Sequence, residues 1–167
     1  MRHAHAGDKQ LWEGSDAERP LSKRGRQEAH GVAEILRSMP AARLLSSPYL
    51  RCHQTLVPLS ARMGLPITTN ELLSPGSDPE PLDALVTDPA MDGTVLCTHG
   101  ETVNELMTYW RRRKLLDVPF DDPQSRRQAT QKGAVWIIET STGYRTVHYL
   151  QPVLVGPTLA ADAELWN

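Results

Sequence analysis

The chain has few of the features that mark several large classes of protein. Its only two cysteines, Cys52 and Cys97, lie far apart in apolar surroundings. This predicts buried, reduced thiols, which are typical of a cytoplasmic protein. No hydrophobic run is long enough to cross a bilayer, and the polar N-terminus from Arg2 onward argues against a secretory leader. A formal net charge of −2 gives no basic excess for nucleic acid or an anionic membrane. We therefore expect a cytoplasmic protein that binds neither nucleic acid nor a membrane.

The length of 167 residues fits one domain with its own core. We place this domain at residues 1–150. Residues 151–167 contain two prolines and an acidic end, so we expect an extended or partly disordered tail. The sequence leaves the oligomeric state open.

Helix and strand signals alternate along the chain. Ser22 is a good N-cap for a helix over 22–38, and Ser47-Pro48 is typical of the start of a second helix that ends at Gly64. A further helix is expected directly after His99, with Val103, Leu106, Met107 and Trp110 on its buried face. Strands are expected at 43–46, near Ile67, and at 94–98, 134–139 and 144–150, with a brief helix at 81–86 and a polar surface loop or lid at 117–132. The alternation predicts a three-layer α/β/α sandwich around a mostly parallel, mixed sheet.

Arg2 and His3 stand side by side near the N-terminus. An arginine offers a fork of donors to phosphate oxygens, and a neutral imidazole can attack phosphorus. The pair alone is weak evidence, because such dipeptides are common by chance and are usually solvated. Its weight depends on a second arginine and a second histidine elsewhere in the chain.

Arg51 and His99 meet that requirement. Arg51 falls in the first turn of the second predicted helix, where free backbone N–H groups already favour an anion. His99 follows a buried strand and precedes a helix, which is the edge of an open α/β sheet where ligands bind. Both residues are therefore candidates for an anion site.

These pieces resemble the histidine phosphatase superfamily, also called the phosphoglycerate-mutase-like fold. The resemblance rests on Arg2-His3, on S-P-Y-L-R at 47–51 and on T-H-G-E at 98–101. It extends to E-R-P-L-S-K-R-G-R-Q-E-A at 18–29 and K-G-A-V-W-I-I at 132–138. It runs from Arg2 to about Leu150 and points to the small branch of SixA-type and Nudix-associated phosphatases.

The resemblance implies roles for matching residues. His3 matches the nucleophile that becomes phosphohistidine, and Arg2, Arg51 and His99 match the phosphate-binding residues. A neutral His3, with one ring nitrogen held by a backbone carbonyl, and a protonated His99 would suit this chemistry, and no metal or other cofactor is implied. Glu71 is our candidate for the general acid, and His5 and Glu101 are its rivals.

One departure concerns the start of the chain. Members of the superfamily have an apolar strand directly before the Arg-His pair, and here only Met1 precedes it. We expect either a start further upstream or a fold adapted to a shortened strand.

Three functions compete on this evidence. The first is a metal-independent phosphatase acting on a small phosphorylated compound or on protein phosphohistidine. The second is a catalytically impaired phosphate-binding module of the same fold. A metal site from His3, His5 and His99 ranks last, because the neighbouring arginines would repel a cation.

Overall fold

The computed structural model describes residues 1–116, 131–141, 143–155 and 166. Four helices and five strands follow one another in this part of the chain. They are α1 (Lys23–Leu36), β1 (Arg43–Ser46), α2 (Leu50–Met63), β2 (Ile67–Thr69), α3 (Pro79–Thr87), β3 (Thr94–Cys97), α4 (Gly100–Arg112), β4 (Val135–Ser141) and β5 (Tyr144–Leu150). Short 3-10 turns lie at Lys9–Leu11, Asp16–Glu18, Glu71–Leu73 and Pro89–Met91.

The strands form two sheets, and backbone hydrogen bonds of residues 1–3 join them into one mixed layer. β2, β1 and β3 are parallel neighbours in that order, and β4 pairs with β5 as an antiparallel hairpin. Residues 1–3 lie between the two groups. The His3 amide donates to the Thr98 carbonyl at 2.9 Å, and the Arg2 amide donates to the Ala134 carbonyl at 3.0 Å.

Helices cover both faces of this sheet. Leu44 of β1 packs with residues of α1 and α2 on one side, including Val32 and Leu56. The next residue, Leu45, packs with α4 and α3 on the other side, as the alternating side chains of a strand require. The predicted three-layer α/β/α architecture is confirmed.

Most element boundaries follow local signals. The Ser22 hydroxyl accepts from the Gly25 amide at 3.1 Å and caps α1. Gly64, with φ of 66°, ends α2 in the left-handed conformation that glycine tolerates. The predicted start of α2 at Ser47-Pro48 is wrong, because the helix begins at Leu50. The Ser47 hydroxyl instead contacts Nε2 of His99 at 2.9 Å.

Residues 1–3 form no regular strand. Arg2 makes only an isolated parallel bridge to Thr98. The amino group of Met1 donates to the Leu96 carbonyl at 2.7 Å, and the Met1 carbonyl accepts from Thr98 at 2.9 Å. These few bonds still hold Arg2 and His3 near the carboxyl ends of the parallel strands.

In the C-terminal third of the chain, the sequence-based expectations can be compared with the structure only at the described residues. β5 has the predicted bounds, whereas residues 117–130 of the predicted lid and most of the tail lie outside the described residues. Val153 runs so close to α1 that a Cβ on Gly31 would lie 1.8 Å from its carbonyl oxygen. Trp166 packs beside Ala4, Ala6 and Leu21. None of the described helices is both long and apolar enough to span a bilayer.

Candidate active site

A cavity of about 450 Å³ opens at the carboxyl edge of the parallel strands. β1 leads through Ser47 to the start of α2 and so to Arg51, and β3 leads through Thr98 to His99. The topology thus brings residues from distant parts of the sequence to one edge. The lining residues are Arg2, His3, His5, Gly7, Asp8, Lys9, Asp16, Arg19, Arg51, Glu101 and Lys132.

His3 is buried with its ring orientation fixed. Its Nδ1 lies 2.7 Å from the Ala4 carbonyl oxygen, which can only accept, so Nδ1 carries the proton. Its Nε2 accepts a hydrogen bond from Nε of Arg51 at 3.2 Å. Burial and then the charges of Arg51 and Arg2 hold the pKa of His3 well below its ordinary value, against the opposing effect of the bond to Ala4. His3 is therefore a neutral imidazole whose Nε2 lone pair is the available nucleophile.

Arg51 is the most connected side chain of the site. It is 3 % exposed and lies in the first turn of α2. Its guanidinium donates to the Asp16 carbonyl oxygen at 2.6 Å and to the Asp16 carboxylate at 3.1 Å. Tyr49 lies beneath it, with 4.6 Å between the guanidinium carbon and the ring centre. A buried cation needs such a counter-ion, and Asp16 supplies it.

His99 lies at the base of the site and is fully buried. Its Nδ1 accepts from Arg51 at 3.3 Å, so the ring proton is on Nε2, which faces the Ser47 hydroxyl at 2.9 Å. Burial, followed by the charge of Arg51, lowers the pKa of His99 to about 3. The expectation of a protonated His99 is therefore wrong for the unliganded protein. An oxyanion beside the ring would favour protonation.

Arg2 completes the cationic cluster. Its side chain lines the cavity, and its Nε is buried without a hydrogen-bond partner among the described residues. Gly100 explains how the guanidinium fits, since a Cβ there would lie 2.8 Å from Cζ of Arg2. The glycine of the T-H-G-E motif therefore makes room for a functional cation.

The structure brings together Arg2, His3, Arg51 and His99 but leaves Glu71 apart. Glu71 is exposed in its 3-10 turn, contacts the Ser74 hydroxyl at 3.4 Å, and is not among the residues that line the cavity. Its two rivals, His5 and Glu101, both line it. A role for Glu71 in proton transfer stays a sequence-based prediction.

His5 presents a neutral hydrogen-bond donor to the cavity. Its Nδ1 accepts from the Gly7 amide at 3.2 Å and faces the Ser22 hydroxyl at 2.7 Å. The ring proton is then on Nε2. Burial and the charge of Lys132 lower the pKa of His5, so the ring stays neutral at physiological pH.

Asp16 and Lys132 line the cavity but were not identified from the sequence. Asp16 stands three residues before Arg19 and accepts a hydrogen bond from it at 2.8 Å. Burial acts to raise the pKa of Asp16, but the bond from Arg19 and the charge of Arg51 outweigh it and lower the pKa. The E-R-P-L motif begins two residues after Asp16, and the K-G-A-V motif begins with Lys132, so these motifs were the signal that could have revealed both residues.

Two further observations concern the cysteines and the possible metal site. Cys52 and Cys97 are both free and buried, as expected. No group of three or more potential ligands is placed to hold a metal ion within the described ranges. The site is thus a cluster of cations around a neutral histidine, which is an arrangement for binding and transferring a phosphoryl group.

Comparison with known proteins agrees with this class of site. The family model "Histidine phosphatase superfamily (branch 1)" matches residues 1–74. The protein histidine phosphatase SixA, solved with tungstate, has a TM-score of 0.71 and 24 % identity, over 91 % of this chain and 94 % of that one. The mycobacterial glucosyl-3-phosphoglycerate phosphatase with VO3 has a TM-score of 0.63 and 18 % identity, over 91 % and 96 %.

A relative from Mycolicibacterium smegmatis is named 8-oxo-(d)GTP phosphatase. It is 27 % identical over 158 residues, which cover 91 % of this chain. The chain spans about half the length of that relative, 47 %.

The N-terminal part of the chain is thus similar to the histidine phosphatase superfamily, and the chain has the fold of the SixA-like structures.

Proposed function

We propose that the protein is a phosphatase that acts through a phosphohistidine intermediate on His3, without a metal ion. The observation that carries the proposal is the state of the His3 ring. Nδ1 is held by the Ala4 carbonyl at 2.7 Å, so the lone pair is on Nε2, where it accepts from Arg51 at 3.2 Å in the absence of a ligand. Phosphoryl transfer needs little beyond a placed nucleophile and positive charge for the phosphoryl oxygens.

The first step forms a bond between Nε2 of His3 and phosphorus. The bond from phosphorus to the leaving group breaks, and its electron pair departs with the leaving atom. Arg2 and Arg51 offer guanidinium donors to the phosphoryl oxygens. Because Arg51 already contacts Nε2 of His3 and Nδ1 of His99, an arriving phosphoryl group replaces these contacts with its own oxygens.

Among the acids that line the cavity, Glu101 is our candidate for proton transfer to the leaving group. Asp16 is held as a carboxylate by Arg19 and Arg51, and Glu71 lies outside the cavity lining. Glu101 lies in the first turn of α4 and makes no ion pair within 4 Å among the described residues. In the second step water attacks phosphorus and gives its proton to Glu101, and the electron pair of the N–P bond returns to His3.

The substrate is a phosphorylated small compound or protein phosphohistidine. The likeness to SixA supports phosphohistidine, and the relative named 8-oxo-(d)GTP phosphatase supports a nucleotide phosphate. A second function, a phosphate-binding module with little turnover, is favoured by one contact. The hydrogen bond from Arg51 occupies the lone pair that must attack phosphorus.

The test is release of phosphate from p-nitrophenyl phosphate in the presence of EDTA. We expect turnover by the parent protein and its loss in His3→Ala. His53→Ala is the matched control, because His53 is an exposed histidine of α2. Stabilisation by vanadate without turnover in the parent would instead establish the binding module. Equal turnover in the parent and His3→Ala would exclude His3 as the nucleophile.

A further inference from the structure

Lys132 is a cation in the cavity wall that the phosphoryl chemistry does not use. Its side chain is half-buried and lines the same cavity as His3. No hydrogen bond or ion pair joins its ammonium group to any described residue, in contrast to Lys9 and Arg19, two other cations of the cavity lining. Lys9 pairs with Asp16 at 3.6 Å, and Arg19 is held by Asp16 at 2.8 Å and by the Ala6 carbonyl at 2.6 Å.

The backbone holds Lys132 beside the nucleophile. The Gly133 amide donates to the His3 carbonyl at 3.2 Å, and the Ala134 amide closes a turn onto the Gln131 carbonyl at 3.3 Å. Gly133 has φ of 74°, a left-handed conformation that suits glycine. These bonds fix the backbone of Lys132 next to that of His3, in the wall of the same cavity.

The surroundings of Lys132 favour an anion. Burial, and then the charges of Arg2 and Arg19, lower the pKa of its ammonium group. The cavity as a whole has five cationic and three acidic side chains in its lining, and Asp16 is already engaged by Arg19 and Arg51. An anionic ligand near Lys132 would relieve the repulsion among these cations.

Resting on the proposed function, we infer that Lys132 binds a second anionic group carried by the leaving group. The phosphoryl group that is transferred has Arg2, Arg51 and His99 for its own oxygens. A second phosphate joined directly to it is the anion that lies nearest. The substrate is therefore a phosphoanhydride, such as a nucleoside diphosphate, in preference to phosphohistidine or a simple monoester.

The step balances without a further reactant. Nε2 of His3 bonds to the terminal phosphorus, and the bond from that phosphorus to the bridging oxygen breaks. The electron pair stays on the bridging oxygen, so the leaving phosphate gains negative charge beside Lys132. The neutral Nε2–H of His5 is a further donor on the cavity wall. Water then releases inorganic phosphate from His3.

The experiment compares kcat and KM for ADP, 3-phosphoglycerate and p-nitrophenyl phosphate in the full chain. The variants are Lys132→Met, Lys132→Arg and the charge-matched control Lys23→Met, whose side chain is exposed at the start of α1. We expect Lys132→Met to lower kcat/KM for ADP about tenfold or more, mainly through KM, since a charge-assisted hydrogen bond is lost. The value of kcat/KM for the aryl phosphate should change less than about twofold. Lys132→Arg should restore most of the activity toward ADP.

The outcomes separate this inference from the proposed function. An equal loss for all three substrates, or no loss for ADP, would overturn the role of Lys132. A loss confined to 3-phosphoglycerate would show a carboxylate as the second anion and would overturn the phosphoanhydride. If the parent cleaves the aryl phosphate but not ADP, the inference fails while the proposed function stands. If the parent and His3→Ala cleave nothing, the proposed function fails.

Discussion

Nε of Arg51 lies 3.2 Å from Nε2 of His3 and donates a hydrogen bond to it. The arginine that should bind the phosphoryl group therefore covers the nucleophile in the unliganded protein. The same guanidinium reaches His99 at 3.3 Å and the Asp16 carboxylate at 3.1 Å. Arrival of a phosphoryl group must exchange the histidine contacts for phosphate oxygens, while the contact to Asp16 can persist. Asp16 thus acts as a positioning residue for Arg51.

The first prediction concerns Asp16→Asn. The substitution removes the charge that compensates the buried guanidinium of Arg51 and weakens the ties that fix its position. We expect kcat/KM for an aryl phosphate to fall about 10- to 100-fold, because small displacements of a charge that binds the transition state are costly. Steady-state kinetics would measure the loss. The affinity for vanadate should fall in parallel.

Glu18→Gln is the matched control for Asp16→Asn. Glu18 lies in the same 3-10 turn, is exposed and does not line the cavity. It should behave like the parent protein. Similar losses in both variants would mean that the turn is needed as a whole, and that the contact from Asp16 to Arg51 has no special role.

The second prediction concerns stability against pH. In the unfolded chain His99 takes up a proton as pH falls below its ordinary pKa of 6.5, whereas in the folded protein its pKa is about 3. The unfolded state therefore binds more protons in this interval, and His99 makes the folded protein lose stability as pH falls from 6.5 toward 3. The contribution reaches about 1.4 kcal/mol per pH unit.

Urea unfolding of the parent and of His99→Gln, between pH 7.5 and pH 5 in phosphate-free buffer, would test this. The stability of His99→Gln should fall less steeply with pH, so the gap between the two proteins narrows as the solution becomes more acidic. A gap that stays constant would show that His99 does not carry the depressed pKa. His53→Gln, at an exposed site of α2, should keep the slope of the parent.

The sequence predicted those parts of the fold that depend on local patterns. Buried strands at Arg43–Ser46 and Thr94–Cys97, and the cap of α1 by Ser22, have direct signals in apolar runs and capping residues. Arg2, His3, Arg51 and His99 were also candidates from the sequence, Arg51 at a helix start, His99 after a strand and the other two as an Arg-His pair, and their roles in phosphate binding stay a prediction. Their meeting point follows from parallel topology.

What the sequence could not predict depends on long-range contacts. Ser47 reads as an N-cap, yet its hydroxyl faces His99, 52 residues away. The protonation of His99 depends on burial and on Arg51, which no local pattern reveals. Lys132 reads as a polar loop residue until the backbone bond from Gly133 to His3 places it in the cavity.

The third prediction concerns Gly100→Ala. A Cβ at this position would lie 2.8 Å from Cζ and 2.9 Å from Nε of Arg2. Because the obstructed group is the far end of a flexible side chain, the protein should fold and keep its stability within about 1 kcal/mol. The guanidinium of Arg2 must move, so we expect affinity for vanadate and kcat/KM to fall about tenfold or more.

Asn104→Ala serves as the control for Gly100→Ala, since it places the same methyl group one turn further along α4. It should leave vanadate affinity unchanged. Thermal unfolding with and without vanadate separates an effect on stability from an effect on vanadate binding. A large loss of stability in Gly100→Ala without ligand would contradict the view that only Arg2 is displaced.

The last prediction distinguishes the candidates for the general acid through the leaving group. A poor leaving group needs a proton in the transition state, whereas p-nitrophenolate departs without one. If Glu101 is the donor, Glu101→Gln should barely change kcat/KM for p-nitrophenyl phosphate, which reports only formation of phosphohistidine, and should lower kcat/KM for phenyl and alkyl phosphates by about 100-fold. A plot of log kcat/KM against the pKa of the leaving group would then become steeper.

Glu71→Gln should keep the slope of the parent, because Glu71 lies outside the cavity lining. A steeper slope in Glu71→Gln alone would restore the sequence-based candidate. Unchanged slopes in both variants would direct attention to His5, whose Nε2–H is the remaining neutral donor with a defined tautomer on the cavity wall.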